Sequence, residues 1–240
     1  MIAFITSSPF REDSDRPTFS NLNGFLDRIT GCLPQEPRCL FVCADPADHR
    51  FTCRIGADIF MAFAHAGVHF SAFEVLDGQN EERAGALVAQ SDLIVLAGGH
   101  LPTQNAFFQR IGLRQLLQGY SGVVLGISAG AMNCADVVYC QPEEPGESAV
   151  EFPRFLPGLG LAAVQILPHY QKMKDYILDG RQLYEDITLA DSMGHTFYAL
   201  PDGSYVVAAN DRETLYGAAW RIRDGQMLPL TRHGECVRLK

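Results

Sequence analysis

Runs of basic residues are missing from this sequence: 19 Lys and Arg stand against 28 Asp and Glu, for a formal net charge of −9. A nucleic-acid partner needs a basic face and is excluded on that ground. Long apolar runs are missing too. No stretch approaches the roughly 18 to 20 apolar residues that span a bilayer, so no membrane partner is expected. The opening segment Met1-Ile2-Ala3-Phe4-Ile5-Thr6-Ser7-Ser8-Pro9 is too short for a signal-peptide core, and no basic residue precedes it. The seven cysteines are odd in number and contain no CxxC pair. Free, mostly buried thiols in a reducing compartment follow, with the cytoplasm as the default. No His, Cys, Asp and Glu set stands at zinc-ligand spacing, and the expected chemistry needs no metal or other cofactor.

What is present suffices for a substantial core: 240 residues, 47% of them hydrophobic and 20% charged, read as a single domain over 1–240. Short segments that are apolar throughout predict strands at 2–7, 39–44, 69–76, 92–97 and 123–127. Helix-spaced apolar residues fall between them, around 19–29, 55–63, 81–90 and 107–117. Buried strands alternating with amphipathic helices predict an α/β fold, a mainly parallel sheet covered on both faces. Downstream, Gln141–Ser148 reads as an acidic surface loop, 162–167 as a strand and 171–183 as a helix. Segments 196–200, 204–209 and 215–222 read as an antiparallel extension of the same sheet. Apolar segments near the C-terminus serve either the core or a homodimer contact.

In such a sheet ligands sit beyond the carboxyl ends of the strands. Two glycine-rich strand ends occur there, Gly98-Gly99 and Gly126-Ile127-Ser128-Ala129-Gly130. A serine in a sharp strand-to-helix turn is held out of the sheet at the positive end of the helix, and its flanking glycines allow close backbone packing. Ser128 is therefore either a nucleophile or a helix cap. The N–H of Ala129 would face an oxyanion beside Ser128, and Gly98-Gly99 either supplies a second donor or makes a tight turn.

A serine hydroxyl needs a base poised near neutral pH. Among seven histidines, His169 follows Ile166-Leu167-Pro168 at a strand end. His100, directly after the glycine pair, is placed in the pocket wall. The third group is a carboxylate that orients the imidazole. Asp202, in Leu200-Pro201-Asp202-Gly203, is the first candidate, with Asp136, Asp175, Glu185 and Asp186 as competitors. The order Ser, His, acid departs from that of α/β-hydrolases, in which the acid precedes the histidine.

Gly98-Gly99, Gly126-Ile127-Ser128-Ala129-Gly130-Ala131, Pro168-His169 and Leu200-Pro201-Asp202-Gly203 together resemble peptidase family S51, which includes peptidase E (aspartyl dipeptidase) and the cyanophycinases. The resemblance spans most of the chain and implies a class I glutamine-amidotransferase-like fold, a three-layer α/β/α sandwich. It implies a serine-type dipeptidase with short peptides as substrates, in which Ser128 is the nucleophile and His169 the base. Gly99 and Ala129 are implied as oxyanion donors, and Asp202 stands where peptidase E has a glutamate. The arginine-containing segment that follows the histidine in peptidase E is not reproduced. Here Lys172, Lys174 or Arg181 binds an acidic group, or forms the solvated face of a helix. Gly98, His100, Lys172 and Arg181 are accordingly the expected substrate contacts. The acidic loop at Glu143, Glu144 and Glu147 is expected to guard the pocket and select an amino terminus. The rival readings are an amidase or esterase on non-peptide substrates, and a non-catalytic binding protein on the same scaffold.

Overall fold

The five N-terminal apolar segments form parallel strands in a computed structural model that describes residues 1–239. They are β1 (Ile2–Thr6), β2 (Arg38–Val42), β3 (Ala72–Leu76), β4 (Leu93–Leu96) and β5 (Val123–Ile127), in the spatial order β1-β5-β4-β2-β3. Every residue of β4 and β5 is buried. Burial on both faces is why these strands show no polar alternation.

Helices α1 (Phe25–Thr30) and α2 (His49–His65) cover one face, packing Phe25, Ile29, Ile59 and Phe63 against Phe4, Phe41 and Leu125. Helices α3 (Ala84–Ala89), α4 (Leu101–Arg110) and α5 (Leu113–Leu116) cover the other, with Leu87, Phe107, Phe108 and Leu113 in its core. Each fully buried Phe or Leu contributes roughly 1.5–3 kcal/mol. The helix predicted over 107–117 is two helices, because Gly112 adopts φ +63° between them. The fifth strand runs through Ser128 into the short α6 (Ala129–Met132).

The second half departs further from the sequence pattern. Strands β6 (Val137–Tyr139) and β7 (Phe155–Pro157) pair as a ribbon whose connection carries the acidic loop. Strand β8 (Ile166–Leu167) leads to His169 and α7 (Tyr170–Met173). The helix predicted over 171–183 ends after that single turn. In its place β9 (Ile177–Leu178) and β10 (Arg181–Gln182) form a hairpin across Asp179 and Gly180, both at positive φ. An Asp-Gly pair favours this turn, and it outweighs the helical spacing around it. A π-helical turn over Leu183–Thr188 and α8 (Leu189–Asp191) follow.

The remaining strands are β11 (Thr196–Ala199), β12 (Tyr205–Ala209), β13 (Arg212–Tyr216), β14 (Ala219–Arg223), β15 (Gln226–Thr231) and β16 (Cys236–Leu239). The expected antiparallel extension is made by β12, β13 and β16, which build outward from β1. The others do not join it: β15, β14, β11 and β8 form a separate four-stranded sheet. The single segment expected at 215–222 breaks at Gly217, φ +97°, and passes from one sheet to the other. Among the described residues no helix is long and apolar enough to cross a membrane. All seven cysteines are free, four of them buried.

Candidate active site

The carboxyl ends of β1, β4 and β5 lie side by side and present Ser7, Gly98-Gly99 and Ser128 along one edge. Ser128 is held at φ 51°, ψ −114°, a backbone state that a residue with a side chain occupies only under constraint. The constraint is visible. The Ser128 N–H donates to the carbonyls of Thr6 (3.0 Å) and Ser7 (3.1 Å), and the Gly130 N–H donates to that of Ala97 (3.1 Å). A Cβ on Gly126 would lie 2.7 Å from the Ala131 Cα, and one on Gly130 would lie 2.7 Å from the Ala97 carbonyl oxygen. The two glycines flanking the serine are thus required by packing, as the spacing suggested.

His169 reaches this edge from the other sheet, at the end of β8, and is itself left-handed at φ 57°. Its Nε2 is 2.9 Å from Ser128 Oγ and its Nδ1 is 2.7 Å from Asp202 Oδ1. The structure therefore brings Ser128, His169 and Asp202 into one hydrogen-bonded line. Three of the competing carboxylates are engaged elsewhere, Asp136 with Arg114, Asp175 with Lys174, and Asp186 with the N–H of Gln182, and the fourth, Glu185, is exposed.

Asp202 is surrounded by donors. Ser7 Oγ donates to Oδ1 at 2.8 Å, Gln171 Nε2 donates to Oδ2 at 2.6 Å, and the Lys172 ammonium lies 2.9 Å from Oδ2. Burial pushes this carboxyl up, but the hydrogen bonds from His169, Lys172 and Ser7 outweigh it and hold the group well below the usual carboxylate range. Ser7 was not foreseen from the sequence. It is fully buried, donates to Asp202, and accepts from the His169 N–H at 2.7 Å. One hydroxyl thereby fixes the acid and the backbone of the histidine together.

Gly98 lies against Ser128, where a Cβ would be 3.3 Å from the serine Cβ. Gly99 takes φ +156° and abuts Ala44, leaving no room for a side chain. Neither the Gly99 nor the Ala129 N–H has a backbone acceptor among the described residues. His100 pairs with Glu147 at 2.8 Å and with Thr103 Oγ1 at 2.7 Å. Lys172 is shared between Asp202 and Glu12, so it supports the acid rather than standing free. Arg181 lies in the β9–β10 hairpin and donates to the Asp186 carbonyl at 2.6 Å. Cys134, the cysteine nearest in sequence to the turn, is buried with its thiol pushed up to about 12 by that burial.

The acidic loop is built rather than loose. Glu147 accepts the backbone N–H groups of Glu143 (2.8 Å) and Glu144 (3.0 Å), and Arg154 donates to the Glu147 carbonyl. Asp179 accepts from Gly146 N–H and Ser148 Oγ. Glu143 is left beside His100 and His169, and burial pushes its carboxyl up to about 7. His100, Glu144 and Glu147 stand close enough together to share an ion, but the first of the three is already paired within the protein.

The sequence model of peptidase family S51 matches residues 5–216. No curated protein matches the sequence. Among solved structures the chain is similar to a peptidase from an acI-B1 Actinobacterium, with a TM-score of 0.66 at 16% identity, covering 99% of this chain and 96% of that one. It is also similar to a protein provisionally named peptidase E from Listeria monocytogenes EGD-e, with a TM-score of 0.55 at 17% identity over 95% and 97% of the two chains. At these identities the likeness establishes the fold: a mainly parallel central sheet with antiparallel C-terminal strands.

Proposed function

The chain belongs to peptidase family S51, and from that premise we propose that it is a serine peptidase that hydrolyses short peptides through an acyl-enzyme on Ser128. The observation that carries this reading is the unbroken line from Ser128 Oγ to His169 Nε2 (2.9 Å) and from His169 Nδ1 to Asp202 (2.7 Å), with the serine held at a strained elbow. An aspartate serves where peptidase E has a glutamate. The shorter side chain meets the imidazole because Ser7, Gln171 and Lys172 draw its carboxylate into place.

In the acylation step Ser128 Oγ attacks the peptide carbonyl carbon while its proton passes to His169 Nε2. The carbonyl oxygen becomes an oxyanion, met by the free N–H groups of Gly99 and Ala129. The C–N bond then breaks, and His169 returns the proton to the departing amine. Water attacks the ester, giving its proton to His169, and the second collapse restores Ser128 Oγ–H and releases the acid. Asp202 stays ionised throughout and stabilises the imidazolium. Its depressed pKa suits it to that role.

Hydrolysis of a dipeptide library (Asp-X, Glu-X and neutral pairs) by wild type beside Ser128→Ala tests the proposal. Turnover that disappears in the variant supports it. Ester turnover with inert dipeptides would redirect it to an esterase, and failure of a fluorophosphonate to label Ser128 would sink serine catalysis altogether.

A further inference from the structure

A cavity of about 300 Å³ opens between the carboxyl ends of β2 and β4 and the first turns of α2. We propose that this cavity is the side-chain subsite of the enzyme and takes an uncharged, apolar side chain next to the scissile bond, not an acidic one. The assignment of a peptide to the site rests on Ser128 being the nucleophile, as argued above.

Gly98 and Gly99 form one wall of the cavity, and Gly98 also lies against Ser128. The cavity therefore begins one strand away from the nucleophile, on the side where the Gly99 N–H is free. A peptide carbonyl held by that N–H would carry its neighbouring side chain across the glycine pair without obstruction.

Phe41, Ala44, Phe51, Ile55 and Ala97 make the walls, and Phe51 remains 45% exposed at the rim. Asp45 and Asp48 are the ionisable lining groups besides His100 and Cys43, and no lysine or arginine lines the cavity among the described residues. Both aspartates are fixed by local bonds, Asp45 to the N–H of Ala47 and Asp48 to that of Phe51, each at 2.9 Å. Both stand at the solvent-exposed rim.

Of the histidines beside the cavity, His100 is paired with Glu147 and His49 with Asp77, while Arg50 and Arg54 of α2 lie outside the lining. Arg54, outside the lining, stacks on the Phe51 ring with its guanidinium carbon 4.8 Å from the centroid. Inside the cavity an acidic side chain would thus lose its water and meet two like charges with no lysine or arginine in the lining, whereas an apolar one gains burial without any charge to satisfy.

The test uses the full chain and two series of peptides, X-Ala and Ala-X, with X as Leu, Phe, Gly or Asp. Binding is measured by calorimetry on Ser128→Ala, alone and combined with Ile55→Trp, which fills the cavity. In one series Leu and Phe should bind at least about tenfold more tightly than Asp, and Ile55→Trp should erase that margin while Gly peptides stay within about threefold. Should Ile55→Trp fail to fold, Phe51→Ala at the exposed rim should narrow the margin several-fold. The subsite is refuted if Asp binds as well as Leu in both series, if the filling variant weakens all peptides alike, or if none binds. Turnover judges the other premise separately. Selective binding with an inert wild type would remove the peptidase reading and keep the subsite, while brisk turnover preferring Asp would do the reverse.

Discussion

Removing the hydroxyl of Ser7 should cripple turnover although Ser7 is not one of the reacting groups. Its Oγ donates to Asp202 Oδ1 at 2.8 Å and accepts from the His169 N–H at 2.7 Å, in a position closed to solvent. A hydrogen bond to a charged acceptor is worth about 1.5–3 kcal/mol, and a buried N–H left without a partner costs about 1–3 kcal/mol. The first loss falls on the acid proposed to stabilise a cationic His169 in the transition state. At about 1.4 kcal/mol per decade, Ser7→Ala should lower kcat by about 10- to 100-fold. The second loss falls on the fold, and a urea titration should show the variant less stable by about 1–3 kcal/mol. KM should hardly move, because the hydroxyl faces the acid and the histidine backbone rather than the substrate side. The assay is kcat and KM on the best dipeptide, with the rate of fluorophosphonate labelling as a substrate-independent measure of serine reactivity. A folded Ser7→Ala protein with kcat within about twofold of wild type, or with its whole defect in KM, would refute the reasoning.

Asp202→Asn should lower kcat by about 10³- to 10⁴-fold with KM little changed, read by steady-state kinetics, because an amide cannot hold the imidazole tautomer or stabilise the imidazolium. The same carboxyl lies below its ordinary value of 3.8 in the fold, so its contribution is present above that pH and is lost as pH falls further; acid unfolding of Asp202→Asn should show a weaker dependence there. Glu143 has the opposite sign. Its carboxyl is raised from 4.5 to about 7 by burial, with His100, His169, Glu144 and Glu147 as the ionisable groups around it, so it favours the fold below 4.5 and loses that contribution as pH rises through 7. Glu143→Gln should therefore gain stability on wild type at pH 8 relative to pH 5 in thermal melts. If Glu143 also meets the amino terminus of the substrate, KM for a free peptide should fall from pH 6 to 7.5 relative to its N-acetyl form, and Glu143→Gln should abolish the difference. Gly130→Ala presses a methyl group on the carbonyls of Leu96 and Ala97 and should yield little soluble protein.

The parallel half of the fold was legible because strands buried on both faces carry their signal in composition alone: Leu93–Leu96 and Val123–Ile127 can be little else. The elbow was legible for a related reason, since only glycine fits at 126 and 130, and a packing demand that strict leaves a mark on the sequence. His169 and Asp202 could be picked out by their strand-end and turn settings. Ser7 could not. Its two partners lie 162 and 195 residues away, and a serine at a strand end looks the same whether it meets water or the Asp202 carboxylate. The helix expected over 171–183 failed because a local Asp-Gly turn overrode its periodicity. The division of the C-terminal strands between two sheets depended on Gly217, one turn whose direction no pattern of alternation records.

Ser128 stands at the end of a strand in the eight-stranded sheet, His169 at the end of one in the four-stranded sheet, and Asp202 on the crossing from β11 in the second to β12 in the first. Proton transfer in the proposed mechanism is consequently a property of a joint. A small shear between the two sheets would lengthen the 2.9 Å contact while leaving every strand intact, so activity should be lost earlier in denaturant than the helices on the main sheet. The single tryptophan, Trp220, sits in β14 of the smaller sheet. Its emission can report on the half of the joint that delivers the base, and coincidence of that signal with the loss of turnover would locate the weakest seam of the enzyme.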